Sequence, residues 1–204
     1  MLDETARRVL GPSVDRVGAR LAKLGISPIA LSLGGLVLGL CAAVAAGFAI
    51  WGLSLVLWPL SRIFDLLDGA VARAADRVSE RSGWVDLVAD FTVYGGFVVG
   101  CGIGQPDARL ACLVLLGTYY VNGTVFLAFS SAAERLRWET RTGGTFHFQR
   151  GLAEGTETVV VHTLMVALPG HMALIAWAFA AVVGLTILHR VREAWRVLPD
   201  RPGP

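Results

Sequence analysis

Between Ile29 and Ile50 the chain runs for 22 residues without a charged side chain. At 1.5 Å of rise per residue, such a run coiled as a helix is long enough to cross the roughly 30 Å hydrocarbon core of a bilayer. Ser27-Pro28 punctuates the chain just before it, and Gly35 and Gly39 within it form a G-x-x-x-G, a spacing that favours close helix packing. The rest of the chain is as apolar as this run suggests. Of its 204 residues 54% are hydrophobic, and mean hydropathy is +0.60. That is too apolar for an ordinary soluble domain, and the length suits one domain.

Five more apolar stretches follow. They are expected from near Gly52 into residues 65–73, from near Ser82 to about Gly104, from about Ala108 to Ala132, from about Gly151 to Leu168, and, after Pro169-Gly170, from His171 to Leu188. Ahead of them, Leu2, Ala6, Val9, Leu10, Val14, Val17, Leu21 and Leu24 recur at helical spacing against Asp3, Glu4, Arg7, Arg8, Arg16, Arg20 and Lys23. A basic amphipathic segment before a membrane span reads as a helix lying in the interface, with Pro12 expected to break or kink it. The expected fold is therefore an all-α integral membrane protein: six transmembrane helices plus an N-terminal interfacial amphipathic helix. All 204 residues form one domain, divided into an interfacial helix (1–25), a six-helix bundle (28–190) and a cytoplasmic tail (191–204).

The basic residues orient it. The N-terminal unit, the segments after the second and fourth spans, and the C-terminal segment hold sixteen of the eighteen arginines and lysines, leaving only Arg62 and Arg109. By the positive-inside rule both termini face the cytoplasm, as in a multi-pass protein of a bacterial or archaeal inner membrane. These residues follow the topology and form no aromatic-interleaved patch, so nucleic-acid binding has no support. Cys41, Cys101 and Cys112 lie in apolar segments without paired spacing and read as small core residues. The N-terminus carries acidic residues and no early apolar core, which does not fit a cleavable signal peptide.

Against this background the stretch from Asp65 to Asp90 stands out. Asp65 and Asp68 are three residues apart, Asp86 and Asp90 four apart, so each pair shares a face of its helix. Carboxylates at membrane depth are costly and mark function. Counting rises from Gly52 and from Ser82 places both pairs at a similar depth, toward the side where Arg73, Arg77 and Arg81 emerge. Four carboxylates brought together repel unless cations lie between them, and an all-oxygen ligand set suits Mg²⁺, Mn²⁺ or Ca²⁺ rather than zinc. Gly69 and Ala72 remove bulk near the acids, and Arg73 offers a planar donor fork for phosphate oxygens. Arg62, one turn before Asp65, suits either an ion pair inside the bundle or a snorkelling side chain.

The stretch resembles the signature of the CDP-alcohol phosphotransferase family, D-x2-D-G-x2-A-R-x8-G-x3-D-x3-D, carried here by Asp65, Asp68, Gly69, Ala72, Arg73, Asp86 and Asp90. The family's second glycine falls on Ser82, with Gly83 one step late, which predicts a slightly altered helix start. The resemblance implies a six-helix membrane enzyme using two divalent ions, Mg²⁺ or Mn²⁺. An acceptor alcohol attacks a CDP-alcohol, for which CDP-diacylglycerol is the expected donor, and CMP leaves. Carried over residue by residue, Asp65, Asp68, Asp86 and Asp90 form the metal set, with Asp90 also the base for the acceptor hydroxyl. Asp65, Gly69, Ala72 and Arg73 contact the CDP moiety. Homodimerisation is implied by the family alone, and the glycine-rich spans permit it.

The acceptor is less constrained. Arg135, Arg137, Arg141 and Arg150 suit a phosphorylated acceptor, although positive-inside topology and lipid headgroup contact explain them more simply. Glu154 and Glu157 suit an amine-bearing acceptor, an extended metal shell, or pairing with those arginines. His147 and His162 lack ligand spacing and read as structural. Tyr119, Tyr120, Asn122 and Thr124 of the fourth span read as interhelical hydrogen-bonding groups or as lining of the site. The competing class is a small cation-coupled transporter. It accounts for intramembrane acids but not for the full motif.

Overall fold

The computed structural model describes residues 2–76, 79–135 and 155–198, all organised as helices and short connections. Seven α-helices follow one another: α1 (Leu2–Lys23), α2 (Pro28–Gly47), α3 (Trp51–Ala74), α4 (Glu80–Gly104), α5 (Arg109–Arg135), α6 (Gly155–Ala167) and α7 (Met172–Val197). Single 3₁₀ turns at Pro106–Ala108 and Pro169–His171 lead into α5 and α7.

Local chemistry sets the ends of these helices. α1 stops at Gly25, which takes φ +76°, and the Ile26 amide returns to the Leu21 carbonyl at 3.2 Å. This left-handed closure is the one glycine adopts without a Cβ penalty. Pro28 opens α2 at a position where its missing N–H costs nothing, behind an extended Ser27. Ser79 caps α4 by accepting from the Ser82 amide at 3.2 Å, while the Ser79 amide donates to Ser82 Oγ at 3.2 Å. Ser82, the departure from the motif, is thus part of the helix start itself.

Of the two outcomes expected at Pro12, the break is corrected. α1 runs through Pro12 unbroken. A proline inside a helix removes one backbone hydrogen bond but does not by itself end the helix. α7 continues past the apolar stretch that ends at Leu188 and stays helical to Val197. The charges at Arg190, Arg192 and Glu193 end the hydropathy but not the helix. What ends it is Pro199 in the sequence, since Leu198 holds φ −71° and ψ 129°, the extended state a residue before proline prefers.

Among the described residues four helical segments are long and apolar enough to cross a membrane: Pro28–Gly47, Glu80–Gly104, Pro106–Arg135 and Pro169–Val197. α3 has the length, at 24 residues, but carries Arg62, Asp65, Asp68 and Arg73, and α6 has only 13 residues. Large apolar side chains such as Val37, Val56, Leu113 and Leu174 face outward, as lipid contact allows.

α2 is the central strut, packed against both α3 and α4, while α3 and α4 make little backbone contact with each other. Small residues permit the close approach. A Cβ at Gly39 would strike Val93, and one at Gly100 or Gly104 would penetrate the Ala43 or Ala46 carbonyl oxygen. Ser61 Oγ donates to the Gly35 carbonyl at 2.8 Å, so both glycines of the G-x-x-x-G serve helix contact. α5 and α7 pack together on the far side of α4, and α6 closes against α3, α7 and α1. The buried core joins Ala42 and Ala46 of α2 to Trp58, Phe97, Leu115 and Met165 of the surrounding helices.

Candidate active site

α3 and α4 lean on α2 and leave a gap between them, into which both carry their acids. One carboxylate oxygen each from Asp65, Asp68 and Asp86 lies within 4.8 Å of the others. Oxygen ligands at roughly 2.0–2.6 Å from a divalent ion are up to about 5 Å apart across it, so this spacing fits one. Asp68, buried at 5% exposure, accepts a hydrogen bond from Ser32 Oγ of α2 at 2.5 Å. Ser32 is missing from the sequence reading, yet its signal was there: it shares a face with Gly35 and Gly39, the stripe that packs against α3.

Asp90 lies next to Asp65 but outside this triad. Its Oδ1 accepts from Arg62 Nη1 at 2.6 Å, and the same nitrogen lies 3.6 Å from Asp65 Oδ1. Arg62 does not snorkel. It is 5% exposed, donates to Ser61 Oγ at 2.9 Å, and its guanidinium carbon lies 5.3 Å from the Trp58 ring centre and 5.0 Å from that of Tyr94. Of the two readings the sequence allowed, the buried ion pair is the one observed.

Arg73 lies at the exposed end of α3, with Nη2 3.1 Å from Asp15 Oδ1 of α1. A Cβ on Gly69 would sit 3.3 Å from Arg73 Nη1, so the missing side chain gives the guanidinium room to fold over that turn. Ala72 is buried, and next to it a Cβ on Gly18 of α1 would clash with Ala70. The N-terminal helix therefore rests directly on the motif segment.

Of the acceptor candidates, Arg135 is exposed at the last turn of α5 with Nε 3.3 Å from the Ser131 carbonyl, and Glu157 is half-buried in the first turn of α6. Arg137, Arg141, Arg150 and Glu154, together with His147, lie outside the described residues. The polar residues of α5 divide. Tyr119 OH is 2.9 Å from His162 Nε2 of α6, and Asn122 Oδ1 accepts from Arg190 Nη1 of α7 at 2.9 Å, so both bridge helices. Thr124 bonds back to its own helix and Tyr120 is exposed. His162 is fully buried among Trp58, Phe97 and Tyr119, a structural placement.

No family profile matches the chain. Individual proteins do. Inner membrane protein YnjF of Escherichia coli is 30% identical over 201 residues, covering 97% of both chains. Archaetidylinositol phosphate synthase of Pyrococcus horikoshii is 28% identical over 198 residues, covering 95% of this chain and 96% of its own. The fold matches that of phosphatidylinositol phosphate synthase of Mycobacterium tuberculosis with CDP-DAG bound, at TM-score 0.72 and 17% identity over 94% of this chain and 98% of that one. The same enzyme in complex with manganese and citrate also gives TM-score 0.72, at 18% identity over 93% of each chain. With its aspartates gathered across the gap between α3 and α4, and with relatives alike from end to end, the chain belongs to the CDP-alcohol phosphotransferase family and is an enzyme of that class.

Proposed function

We propose that the protein transfers a phosphatidyl group from CDP-diacylglycerol to a phosphorylated alcohol, with inositol phosphate the first acceptor to test, and releases CMP. The observation that carries the reading is the convergence of Asp65, Asp68 and Asp86 within 4.8 Å, with Asp90 beside them. The relatives named as archaetidylinositol phosphate synthase and phosphatidylinositol phosphate synthase, the latter solved with CDP-DAG, support the choice of donor and acceptor.

In this reading Asp65, Asp68 and Asp86 hold divalent ions, Mg²⁺ or Mn²⁺. Bound there, such ions supply charge neutralisation for the diphosphate and for the entering and leaving oxygens of the displacement. Arg73 and the open surface over Gly69 receive the CDP diphosphate. Asp90 takes the proton from the acceptor hydroxyl as its oxygen forms a bond to the lipid-side phosphorus, and the bond from that phosphorus to CMP breaks. Arg135, with Arg137, Arg141 and Arg150, supplies positive charge for a phosphorylated acceptor. α3 and α6 complete a six-helix membrane bundle with α1 in the interface, both termini in the cytoplasm and the site open to that side.

The test is CMP release by purified protein in detergent, with CDP-diacylglycerol, Mg²⁺ or Mn²⁺, and a panel of inositol phosphate, glycerol phosphate, inositol and serine. Metal-dependent CMP release with one acceptor, abolished in Asp90→Asn, is the expected result. Asp90→Asn with undiminished turnover would refute the base assignment, and cation flux without CMP formation would favour the transporter reading.

A further inference from the structure

Arg62 stands one turn ahead of the motif, and the transfer reaction as described gives it no part. Its placement is nevertheless fixed from several sides. Trp58, one turn before it on α3, and Tyr94, one turn after Asp90 on α4, meet edge to face and seat the guanidinium against both rings, 5.3 and 5.0 Å from their centres. Ser61 fixes Nη2, and Ser61 is itself tied to α2 through the Gly35 carbonyl. Nη1 is left to the acids, at 2.6 Å from Asp90 and 3.6 Å from Asp65. Nε is buried with no hydrogen-bond partner among the described residues.

We propose that Arg62 is a positioning residue: its guanidinium, seated against Trp58 and Tyr94, holds the Asp90 carboxylate outside the metal-binding set of Asp65, Asp68 and Asp86 and keeps it available to the acceptor hydroxyl. This rests on the assignment of Asp90 as the base. A divalent ion held by three carboxylates attracts a fourth one nearby. A carboxylate drawn onto the ion no longer has the same oxygen free to take a proton. A fixed cation bonded to Asp90 more closely than to Asp65 opposes that pull. Arginine suits the task because its planar fork packs against aromatic rings while still donating from its edge, and it stays charged when buried.

The test uses the full chain in detergent, with Mn²⁺ binding measured without substrates by electron paramagnetic resonance and CMP release measured in parallel. In Arg62→Met, Asp90 is free to join the metal set. Mn²⁺ is then expected to bind at least about tenfold more tightly, since a like charge is lost and a ligand gained. With the base displaced, kcat falls about a hundredfold while the donor KM stays within about threefold. Arg62→Lys restores wild-type Mn²⁺ affinity and part of kcat. In an Asp90→Asn background most of the Mn²⁺ gain from Arg62→Met disappears. Wild-type kcat in Arg62→Met overturns the proposal. An equal Mn²⁺ gain with and without Asp90 also overturns it, because Arg62 would then act only as a remote charge. Arg62→Gln carries the same cycle where Arg62→Met is not recovered as a monodisperse, cooperatively unfolding protein. Full activity in Asp90→Asn refutes the base assignment, a failure the activity assay separates from that of the binding cycle.

Discussion

Replacing Ser32 by alanine removes a single oxygen, but the structure gives that oxygen two consequences. Its hydroxyl carries one proton, and the 2.5 Å contact to Asp68 Oδ2 takes it in preference to the Pro28 carbonyl at 3.3 Å. The acceptor is a carboxylate at 5% exposure, so water has little access to replace the lost donor. Hydrogen bonds to charged groups contribute about 1.5–3 kcal/mol, and loss of an outer partner of a metal ligand typically weakens metal binding by about 10–100-fold. Ser32→Ala is therefore expected to lower the unfolding free energy by about 2 kcal/mol and Mn²⁺ affinity by about tenfold or more. Ser54→Ala is the matched control. It deletes the same atom from a fully buried serine whose Oγ donates at 3.0 Å to a neutral group, the Ala42 carbonyl. It should cost about 1 kcal/mol and leave Mn²⁺ binding within about twofold of wild type. Thermal unfolding in detergent and Mn²⁺ titration read both quantities. If Ser32→Ala bound Mn²⁺ like wild type, or Ser54→Ala weakened it equally, Ser32 would not be orienting a metal ligand.

Other perturbations separate packing from chemistry. Gly100→Ala drives a Cβ into the Ala43 carbonyl, a backbone atom that cannot move aside, and should cost about 3 kcal/mol or more. Gly117→Ala, whose Cβ meets nothing within 4 Å, should leave the thermal midpoint unchanged or raised. Tyr119→Phe strips Nε2 of the buried His162 of its partner, and Nδ1 already has none among the described residues. A loss of about 1–3 kcal/mol in unfolding, with Mn²⁺ affinity unchanged, is the expected outcome. Asp15→Asn breaks an ion pair whose side chains are 61% and 63% exposed, so its effect on stability should stay below about 1 kcal/mol. Arg73→Ala should reduce the thermal stabilisation that CDP confers, and an undiminished shift would remove Arg73 from the diphosphate site.

The sequence displays those parts of the molecule that rest on periodicity and on one-residue signals. Ser27-Pro28 marks the start of α2 and the i, i+3 and i, i+4 spacings put each aspartate pair on one helix face, because these depend on local geometry alone. Pro12 did not break α1, because proline lowers the preference for a helix without forbidding one at the surface. Ser32 and Tyr94 escaped because their partners lie on other helices. No count along α2 shows that Ser32 meets Asp68, 36 residues on. Arg62 was legible as a charge out of place, but which of its two readings held depended on Tyr94 and Asp90 arriving from α4.

The order of contacts along the two helices explains how one cluster divides into two roles. The Asp68 carboxyl faces Asp86, the Asp65 carboxyl faces Asp90, and Arg62 reaches Asp90 and Tyr94, so the pairings run in opposite directions along α3 and α4. Four residues of helix separate Asp86 from Asp90, roughly 6 Å along the axis. That step sets Asp86 among Asp65 and Asp68 and carries Asp90 on to the level of the guanidinium. The different spacings of the two pairs, three residues on α3 and four on α4, are what allow three carboxylates to converge while the fourth meets a cation. A spacing of four on both helices would lower Asp65 by a residue, turn it about 100° away from its present face, and disturb both the triad and its contact with Asp90. Inserting one alanine between Leu67 and Asp68 makes that change, and it should abolish Mn²⁺ binding while leaving the α2–α4 contact of Gly100 with Ala43, which involves no α3 atom, in place.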